Sequence, residues 1–458
     1  MPFNNIPDEL ISKIFKDLEE DFKEIRQSKE YLKNTLSLAQ INKQCRRVAL
    51  TLTHRDLWST ILLHWPKEIV NLYLERSRIS DTPDIFVSFD TRQLGTRNRK
   101  LKHEYVAHFF EQEMKNIAHL ELDIHSQQSS QVVADAICHT HAPRLQFFAV
   151  HLGQGIQNIT TLFGSNAPLL RAARIHGSMQ LRLPLFESLR ELQYRVDGQN
   201  LKELIETLKG MQKLEKLALI GTRETVALAP EPTEITILPA CTWFNIDDME
   251  SHLAEYALAH ISFPQLESLR VSERLVQLPD MTFSMSLFSV LPTLATEGEP
   301  LSFELHHGRV VISMAGYRFE SDWRNVAAAD STNFIATIGT ALSAPVQLLN
   351  LQPHKIIIRN TISQRSRPPN EPLSLTRQDL SRVLDLMLPA YPSVEVLEMS
   401  VGITGVVGAI HHHPDHLPNL KTIRVVRRPD QGNVSDAEAQ LFQRIAQGRG
   451  VQVEHEQL

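Results

Sequence analysis

The sequence predicts an α/β protein in which a small all-helical module at residues 1–65 precedes a curved, mostly parallel β-sheet at 66–458. Two apolar stripes with helical spacing lie within the first part. In the second part, one short apolar pattern returns eight times, most often at intervals near 25 residues. A unit of that length holds one strand and one return helix, and it buries its apolar face only when a neighbour stacks on it.

The first helix is predicted to start at Pro7, because proline lacks the N–H that the first turn of a helix leaves unbonded. Asp8 and Glu9 then suit the positive end of the helix dipole. One apolar stripe follows, made of Leu10, Ile11, Ile14, Phe15 and Leu18. A second stripe comprises Leu38, Ile41, Cys45 and Val48, and the segment ends on Leu57 and Trp58. Each stripe needs a partner surface, because so short a helix cannot hide it.

These residues resemble the F-box, in which Leu-Pro-x-Glu-Leu and then Ile-Phe open a three-helix module. The matching residues of the first half are Ile6, Pro7, Glu9, Leu10, Ile14, Phe15 and Leu18. Those of the second half are Ile41, Arg46, Val48, Ala49, Leu57 and Trp58. Cys45 stands where many fungal members have tryptophan. The continuation from Trp65, with a linking helix predicted at 66–77, resembles the same fungal group.

The F-box resemblance implies a function and a set of contacts. Such proteins are substrate-recognition subunits of SCF-type E3 ubiquitin ligases, which bind a Skp-type adaptor and through it a cullin. The resemblance assigns adaptor contacts to Pro7, Leu10, Ile14, Phe15 and Leu18, with Ile41, Val48 and Trp58 in or near the same interface.

The repeated pattern of the second part is an apolar residue, a second one three positions later and a third two positions after that. The eight triplets begin at Ile117, Leu145, Leu170, Leu189, Leu214, Leu266, Val394 and Leu420. The period resembles that of leucine-rich repeats, although no unit carries their ladder Asn or Cys. We therefore expect an irregular, leucine-rich-repeat-like solenoid over 66–458.

Three parts of the array are expected to depart from or end the repeat. Residues 276–345 lose the register, and alternating apolar residues around His306–Arg309 predict an inserted β-hairpin. Residues 361–372 form a polar, proline-rich segment that predicts a loop. A capping-box helix and a last strand are predicted over 435–458.

Composition and charge favour a protein partner over nucleic acid or a membrane. The chain has 47 basic and 53 acidic residues, a formal net charge of -6, and three widely spaced cysteines. That cysteine pattern argues against a disulfide framework and a zinc ribbon, and it favours a reducing compartment. Without a signal-like start or an apolar run of about 18 residues, we expect a soluble protein of the cytoplasm, the nucleus or both.

The sequence offers little for catalysis. His411, His412, His413 and His416 are candidate metal ligands, but adjacent side chains of an extended segment point to opposite faces. Pro414 predicts a loop there, so we expect no metal at this site. No phosphate-binding loop, nucleophile elbow or His-Glu-x-x-His occurs, and we expect neither an enzyme nor a cofactor. The basic segment at 92–102 is predicted to be a solvated loop.

The target-binding face is predicted from strand alternation, because the residue between the last two apolar positions of a triplet faces away from the core. This rule and the next outward position give a basic strip of Arg174, His176, Gln193, Arg195 and Arg270. Arginine forks on such a strip suit an acidic or phosphorylated target segment. The alternative is a solvated sheet face, with the target held by loops.

Two other functions stay open at this point. One is a leucine-rich-repeat-like scaffold or interaction protein outside the ubiquitin pathway, which the Cys45 substitution keeps in view. The other is a metal-dependent enzyme built around His411 to His416. Co-expression with the adaptor separates the first from an F-box protein, and a metal assay tests the second.

Overall fold

The computed structural model describes most of the chain, and all structural statements below concern those residues. They are 6–24, 29–50, 57–78, 84–93, 99–125, 127–152, 162–176, 186–196, 200–222, 234–275, 299–306, 308–314, 316–323, 334–336, 338–340, 342–343, 352–360, 375, 377–400, 404–413, 415–427 and 436–457.

The protein is mixed α/β with mostly parallel strand pairing. Its Cα positions group into two compact units. The first unit comprises Met1–Arg195 and Glu206–Leu214, and the second comprises Val196–Ile205 and Glu215–Leu458. The module boundary that the sequence predicts at residue 65 falls inside the first unit and stays a prediction.

Six strands of the first unit pair in parallel and in chain order. They are β1 (Thr60–Leu62), β2 (Ile85–Asp90), β3 (Ile117–Ile124), β4 (Phe147–Leu152), β5 (Ala172–His176) and β6 (Glu191–Val196). Along β3, buried Leu120, Leu122 and Ile124 alternate with half-buried Glu121 and Asp123. One face of this sheet therefore forms core, and the other carries polar side chains.

The helices of the first unit lie before and between its strands. They are α1 (Asp8–Glu24), α2 (Lys29–Gln40), α3 (Lys43–Ala49), α4 (Lys67–Ser77), α5 (Arg99–Glu113) and α6 (Gln127–His139), with 3-10 turns at Thr91–Gln93, Met114–Asn116 and Phe163–Ser165. Helix α3 starts where it does because the Asn42 side chain accepts a hydrogen bond from the Cys45 amide, at 2.7 Å. Helix α1 packs against α3, and α5 packs against α6.

The second unit contains a longer sheet. Its strands are β7 (Lys216–Gly221), β8 (Thr236–Ile237), β9 (Trp243–Glu250), β10 (Ile261–Ser262), β11 (Ser268–Arg274), β12 (Leu301–Leu305), β13 (Arg309–Met314), β14 (Tyr317–Asp322), β15 (Lys355–Asn360), β16 (Val396–Ser400), β17 (Thr422–Arg427) and β18 (Gln452–Gln457). The order is β7-β9-β11-β14-β13-β12-β15-β16-β17-β18, and β8 pairs with β10 separately. Only β13 runs antiparallel to its neighbours among these described strands. The strand direction reverses between β14 and β13 and again between β13 and β12. Strand β12 therefore pairs in parallel with β15.

The remaining helices fall between these strands. They are α7 (Asn200–Leu208), which the division between the units crosses, α8 (Ser251–His260), α9 (Arg377–Met387), α10 (Thr404–His412) and α11 (Asp436–Arg449), with a 3-10 turn at Leu388–Ala390. Helix α10 packs against both α9 and α11. Strand and return helix therefore alternate near the end of the chain, as the repeat pattern predicts.

Several predicted elements are confirmed. The eight triplets lie in or directly before β3, β4, β5, β6, β7, β11, β16 and β17. In the second unit Leu217, Leu269 and Leu397 are buried, and in the first unit Leu192 is buried. The hairpin around His306–Arg309 exists as β12 and β13, extended by β14. The predicted terminal helix and strand are α11 and β18.

Other predictions need correction in the N-terminal part. The sheet begins inside residues 1–65, because β1 pairs with β2, so this segment is not all helical. The second apolar stripe is split between α2 and α3. Helical structure is interrupted at Ile41 and Asn42, and Asn42 caps the start of α3. The basic segment is not a loop over 99–102, because these residues form the first turn of α5, a helix anchored by buried Val106 and Phe110. Residues 94–98 of the segment lie outside the described residues.

The histidine run is also placed differently from the prediction. His411 and His412 form the end of α10 rather than a loop, because buried Val406, Val407 and Ile410 extend the apolar face of that helix. Pro414, the predicted loop at 361–372 and all of 276–298 lie outside the described residues.

Candidate functional site

Three exposed apolar side chains mark the N-terminal module. Leu10 is 53% exposed, Ile14 is 49% exposed and Ile41 is 52% exposed. We call these three residues the apolar face. Leu10 and Ile14 are one helical turn apart on α1 and therefore lie on the same side of it. Pro7, directly before α1, is exposed as well.

The other residues that the F-box resemblance assigns to the adaptor are buried or half-buried here. Phe15, Val48 and Trp58 are buried, and Leu18 is half-buried. Buried residues cannot contact a partner unless the module opens, so their role in this structure is to hold it together. The resemblance alone did not separate these supporting residues from the exposed ones.

Helices α1 and α3 are held together by polar contacts at their N-terminal ends. The Gln44 amide donates to the Ile6 carbonyl at 2.8 Å and to Asp8 Oδ1 at 2.7 Å. Arg47 Nη2 forms an ion pair with Asp8 Oδ2 at 2.6 Å. Ile41 precedes Gln44 by three residues, so these contacts bring the Ile41 segment to the start of α1.

Trp58 anchors the module to α4. Its indole N–H donates to the Ala49 carbonyl at 2.8 Å, and its ring lies 5.2 Å from the ring of Tyr73. The Arg76 guanidinium lies 4.1 Å from the Trp58 ring centroid, a favourable cation–π geometry. The Tyr73 hydroxyl is hydrogen-bonded to Thr35 Oγ1 on α2. These contacts connect α2, α3 and α4, and they hold the helical module that carries the apolar face.

A second surface lies on the polar face of the first unit's sheet. In the strand register, Asp90 is opposite Asp123, Asp123 is opposite His151, and His151 is opposite His176. Residues that are opposite each other in neighbouring parallel strands point to the same side of the sheet. These four side chains therefore form one line across β2 to β5. We call them the polar row. They help to line a shallow depression of about 200 Å³.

The acidic end of the polar row is organised by ion pairs. Arg92 contacts Asp90 Oδ1 at 3.2 Å and Asp123 Oδ2 at 2.5 Å. His125 follows β3 directly, and its Nε2 lies 2.5 Å from Asp123 Oδ1. Both carboxylate oxygens of Asp123 therefore face a nitrogen group.

The other end consists of imidazoles. The rings of His151 and His176 stack with centroids 6.1 Å apart, and His125 lies 5.0 Å from His151. Burial lowers the pKa of His176, and nearby His151, Arg195 and Arg174 lower it further. Burial also lowers the pKa of His151, outweighing the opposing effect of Asp123. Both shifts favour the neutral form of the ring, which carries a nitrogen lone pair.

The predicted target-binding residues divide between the units. Arg174 is exposed, with its guanidinium 5.4 Å from the Phe147 ring, and it is opposite Gln193 in the register. His176 and Arg195 are half-buried on β5 and β6. Arg270 is exposed on β11 of the second unit.

The basic strip that the sequence predicts is in fact a surface of mixed charge. Asp90, Glu121 and Asp123 line the same depression as Arg92 and Arg174. The sequence argument missed Asp90 and Arg92, because β2 lacks the repeat triplet. Ala218 lies between the last two apolar positions of the triplet that begins at Leu214, so the alternation rule predicts it to face outward, yet it is buried and unavailable to a ligand.

One group of metal-ligating side chains stands out among the described residues. Asp123, His125 and His151 each offer one ligand atom, and these atoms all lie within 4.8 Å of one another. His411 to His416 do not form such a group within the described part, although the rings of His413 and His416 stack at 4.7 Å.

Comparison of the chain with known proteins identifies no relative, so a function has to be argued from the surfaces described above. No family model matches the chain, and no curated protein is significantly similar to it. In the described part of the chain, no helix combines the length and apolar character needed to cross a membrane.

Proposed function

We propose that the chain is a substrate-recognition subunit of an SCF-type E3 ubiquitin ligase. In this proposal the N-terminal helices form an F-box-like module that binds a Skp-type adaptor and through it a cullin. The strand-and-helix array acts as a leucine-rich-repeat-like solenoid that binds a protein target. The chain contributes position rather than chemistry, because tethering a target near a ubiquitin-loaded enzyme raises its effective concentration.

The exposure of the apolar face carries the proposal. Five large apolar side chains of the first unit are about half exposed among the described residues: Leu10, Ile14, Ile41, Val132 and Leu169. Three of these five occupy positions that the resemblance assigns to the adaptor interface. Completing the burial of each half-exposed side chain is worth about 1 kcal/mol. A partner surface that covers all three, together with Pro7, therefore gains binding energy without any change in the fold.

The buried positions support the same proposal from the inside. Phe15, Val48 and Trp58 fill the interior of the module, so the apolar face is presented on a packed helical support. A rigid support lowers the entropy cost of binding. Cys45 is buried too, so the position that resembles a tryptophan site is used for packing in this chain.

The target side of the proposal rests on β5 and β6. Arg174 is exposed there, and His176, Gln193 and Arg195 surround it in the strand register and along the strands. Guanidinium groups bind carboxylate or phosphate groups in bidentate fashion. We assign the acidic or phosphorylated segment of a target to these four residues, with Arg270 as a separate contact on the second unit.

The adaptor contact is tested by reversing the chemistry of the apolar face. Replacing both Leu10 and Ile14 with Asp should abolish co-purification with a co-expressed Skp-type adaptor and cullin, because covering a carboxylate without a partner costs several kcal/mol, or about 2–7. Both residues are exposed, so the chain itself should fold normally by circular dichroism.

The matched control replaces Val132 and Leu169 with Asp. These residues are 45% and 48% exposed in the same unit but lie outside the resemblance, so adaptor binding should be unchanged. Full adaptor binding by the Leu10/Ile14 variant would refute the F-box proposal. Adaptor binding without ubiquitin transfer to any captured protein would favour the scaffold alternative.

The target contact is tested by proximity labelling in cells. The double variant Arg174→Glu and Arg195→Glu should lose labelling of targets while keeping the adaptor. The control variant carries Arg171→Glu and Arg190→Glu, two exposed arginines directly before β5 and β6. Equal labelling by both variants would show that targets are held elsewhere, as loop-based recognition predicts.

A further inference from the structure

We propose that Asp123, His125 and His151 form an open binding site for one divalent transition-metal ion such as Zn²⁺. Asp123 is on β3, His125 follows that strand directly, and His151 is opposite Asp123 on β4. Their ligand atoms all lie within 4.8 Å of one another. The site belongs to the first unit and does not depend on adaptor binding.

The donor set selects the class of ion. Two imidazole nitrogens and one carboxylate oxygen are ligands of Zn²⁺, Fe²⁺ and Ni²⁺, whereas Ca²⁺ and Mg²⁺ prefer oxygen ligands alone. Three protein ligands leave at least one coordination position open to water or to a group of a bound partner. Asp123 and His151 line the depression on the polar sheet face, and His125 is exposed, so this position is reachable from solvent.

Asp123 is oriented for this role by Arg92. The guanidinium holds Asp123 Oδ2 at 2.5 Å and leaves Oδ1 directed at His125 Nε2. Metal-ligating carboxylates commonly have such a second partner, which fixes the ligand oxygen. Arg92 itself is positioned by Asp90, whose Oδ1 also accepts from the Arg92 backbone amide at 2.8 Å.

To accept an ion, the wider pairs of ligand atoms, up to 4.8 Å apart, would have to close by up to about 1.5 Å, and the closest pair would have to separate. Two atoms bound to one tetrahedral Zn²⁺ lie about 3.3 Å apart, given metal–ligand distances near 2.0 Å. Asp123 Oδ1 and His125 Nε2 are 2.5 Å apart and would have to separate by less than about 1 Å. The His125 side chain is 37% exposed, so it has room to rotate.

The surrounding charges also permit a cation. Asp90, Glu121 and Asp123 line the depression with Arg92 and Arg174, so carboxylates exceed guanidinium groups by one. His125 and His151 have ring centroids 5.0 Å apart, so a nitrogen of each ring can approach one ion between them.

The test is a Zn²⁺ titration of the full chain, followed by competition with a chromogenic chelator. The histidine run could bind metal by itself, so all proteins carry His411→Gln, His412→Gln and His413→Gln. We expect one Zn²⁺ per chain. Replacing His151 or the more exposed His125 with Gln should weaken binding by about tenfold or more. Co²⁺ in place of Zn²⁺ should give visible absorption that both variants lose.

His176 supplies the matched control. It stacks on His151 in the same row, yet it is not part of the three-ligand group. His176→Gln should therefore change Zn²⁺ affinity by less than about twofold if ligation rather than local packing is measured. Two results would overturn the proposal: no Zn²⁺ binding in this background, even if the unsubstituted chain binds the ion, or equal losses in the His125, His151 and His176 variants.

Discussion

The apolar face and the polar row belong to the same unit but present opposite kinds of surface. Leu10, Ile14 and Ile41 expose about half of their side chains, and hydrophobic burial would stabilise any complementary cover. The polar row is already held by contacts such as those of Arg92 with Asp90 and Asp123. A ligand there must match a fixed geometry. The first surface therefore favours a large partner, and the second favours a small, charged group.

Within the helical module, buried Trp58 should stabilise the fold, whereas exposed Leu10 should not. Trp58→Ala should lower the free energy of unfolding by about 3–5 kcal/mol, the usual cost of removing a buried aromatic side chain. The variant also deprives the Ala49 carbonyl of its donor and Arg76 of its ring partner. Urea denaturation measures the change.

Leu10→Ala is the control for that experiment. Because Leu10 is 53% exposed, its truncation should change the free energy of unfolding by less than about 1 kcal/mol. If both variants were equally destabilised, Leu10 would be a packing residue and the apolar face would not be a free surface.

Salt should next separate adaptor binding through the apolar face from target capture through the arginines beside the polar row. Raising the ionic strength from about 0.1 M to about 1 M shortens the Debye length from about 10 Å to about 3 Å. Adaptor binding through the apolar face should change by less than about twofold over this range. Target capture through Arg174 and Arg195 should fall by about fivefold or more. Biolayer interferometry on the immobilised chain measures both, and parallel losses would place charged contacts in the adaptor interface.

The sequence predicted the sheet well where the triplet is complete. Apolar residues at fixed spacing define which face is buried, and parallel pairing aligns equivalent positions of neighbouring repeats. This is why Asp123, His151 and His176, which occupy equivalent outward positions of their repeats, lie in one line. The same argument could have found β9, because Cys241, Phe244 and Ile246 have triplet spacing and Cys241 is fully buried.

Other elements carried no such signal. Strand β2 has five consecutive buried residues, Ile85 to Phe89, so alternation is absent and Asp90 with Arg92 could not be placed. His125 lies one residue beyond the end of β3, outside the triplet, so the repeat pattern did not show that it stays on the same side as Asp123. The sequence also did not show which residues of the helical module are exposed. Leu10 and Phe15 belong to one apolar stripe, yet Leu10 is exposed and Phe15 is buried.

The link between the module and α4 gives a smaller expected effect. Tyr73→Phe removes the hydroxyl that is bonded to Thr35, and it should lower the free energy of unfolding by about 1 kcal/mol. Thr35 keeps its bond to the Tyr31 carbonyl at 2.9 Å, so no buried donor is left unsatisfied. Burial raises the pKa of Tyr73 to about 12, and the effect should therefore be constant from neutral pH to about pH 10. A change below about 0.3 kcal/mol would mean that this bond does not hold the module.

The smallest expected effect is a pH dependence at the start of α1. The hydrogen bond from Gln44, with added help from Arg47 and against partial burial, lowers the pKa of Asp8 below its ordinary value of 3.8. A carboxyl group whose pKa is lower in the folded state stabilises the fold above its ordinary pKa and loses that contribution as pH falls through the folded value. The contact between α1 and α3 should therefore weaken below about pH 4. Hydrogen exchange of the α1 amides, compared between the wild type and Asp8→Asn, isolates this group from other carboxylates. An identical acid response of the two proteins would show that the Asp8 contacts do not fix α1, and that the apolar face is held by packing alone.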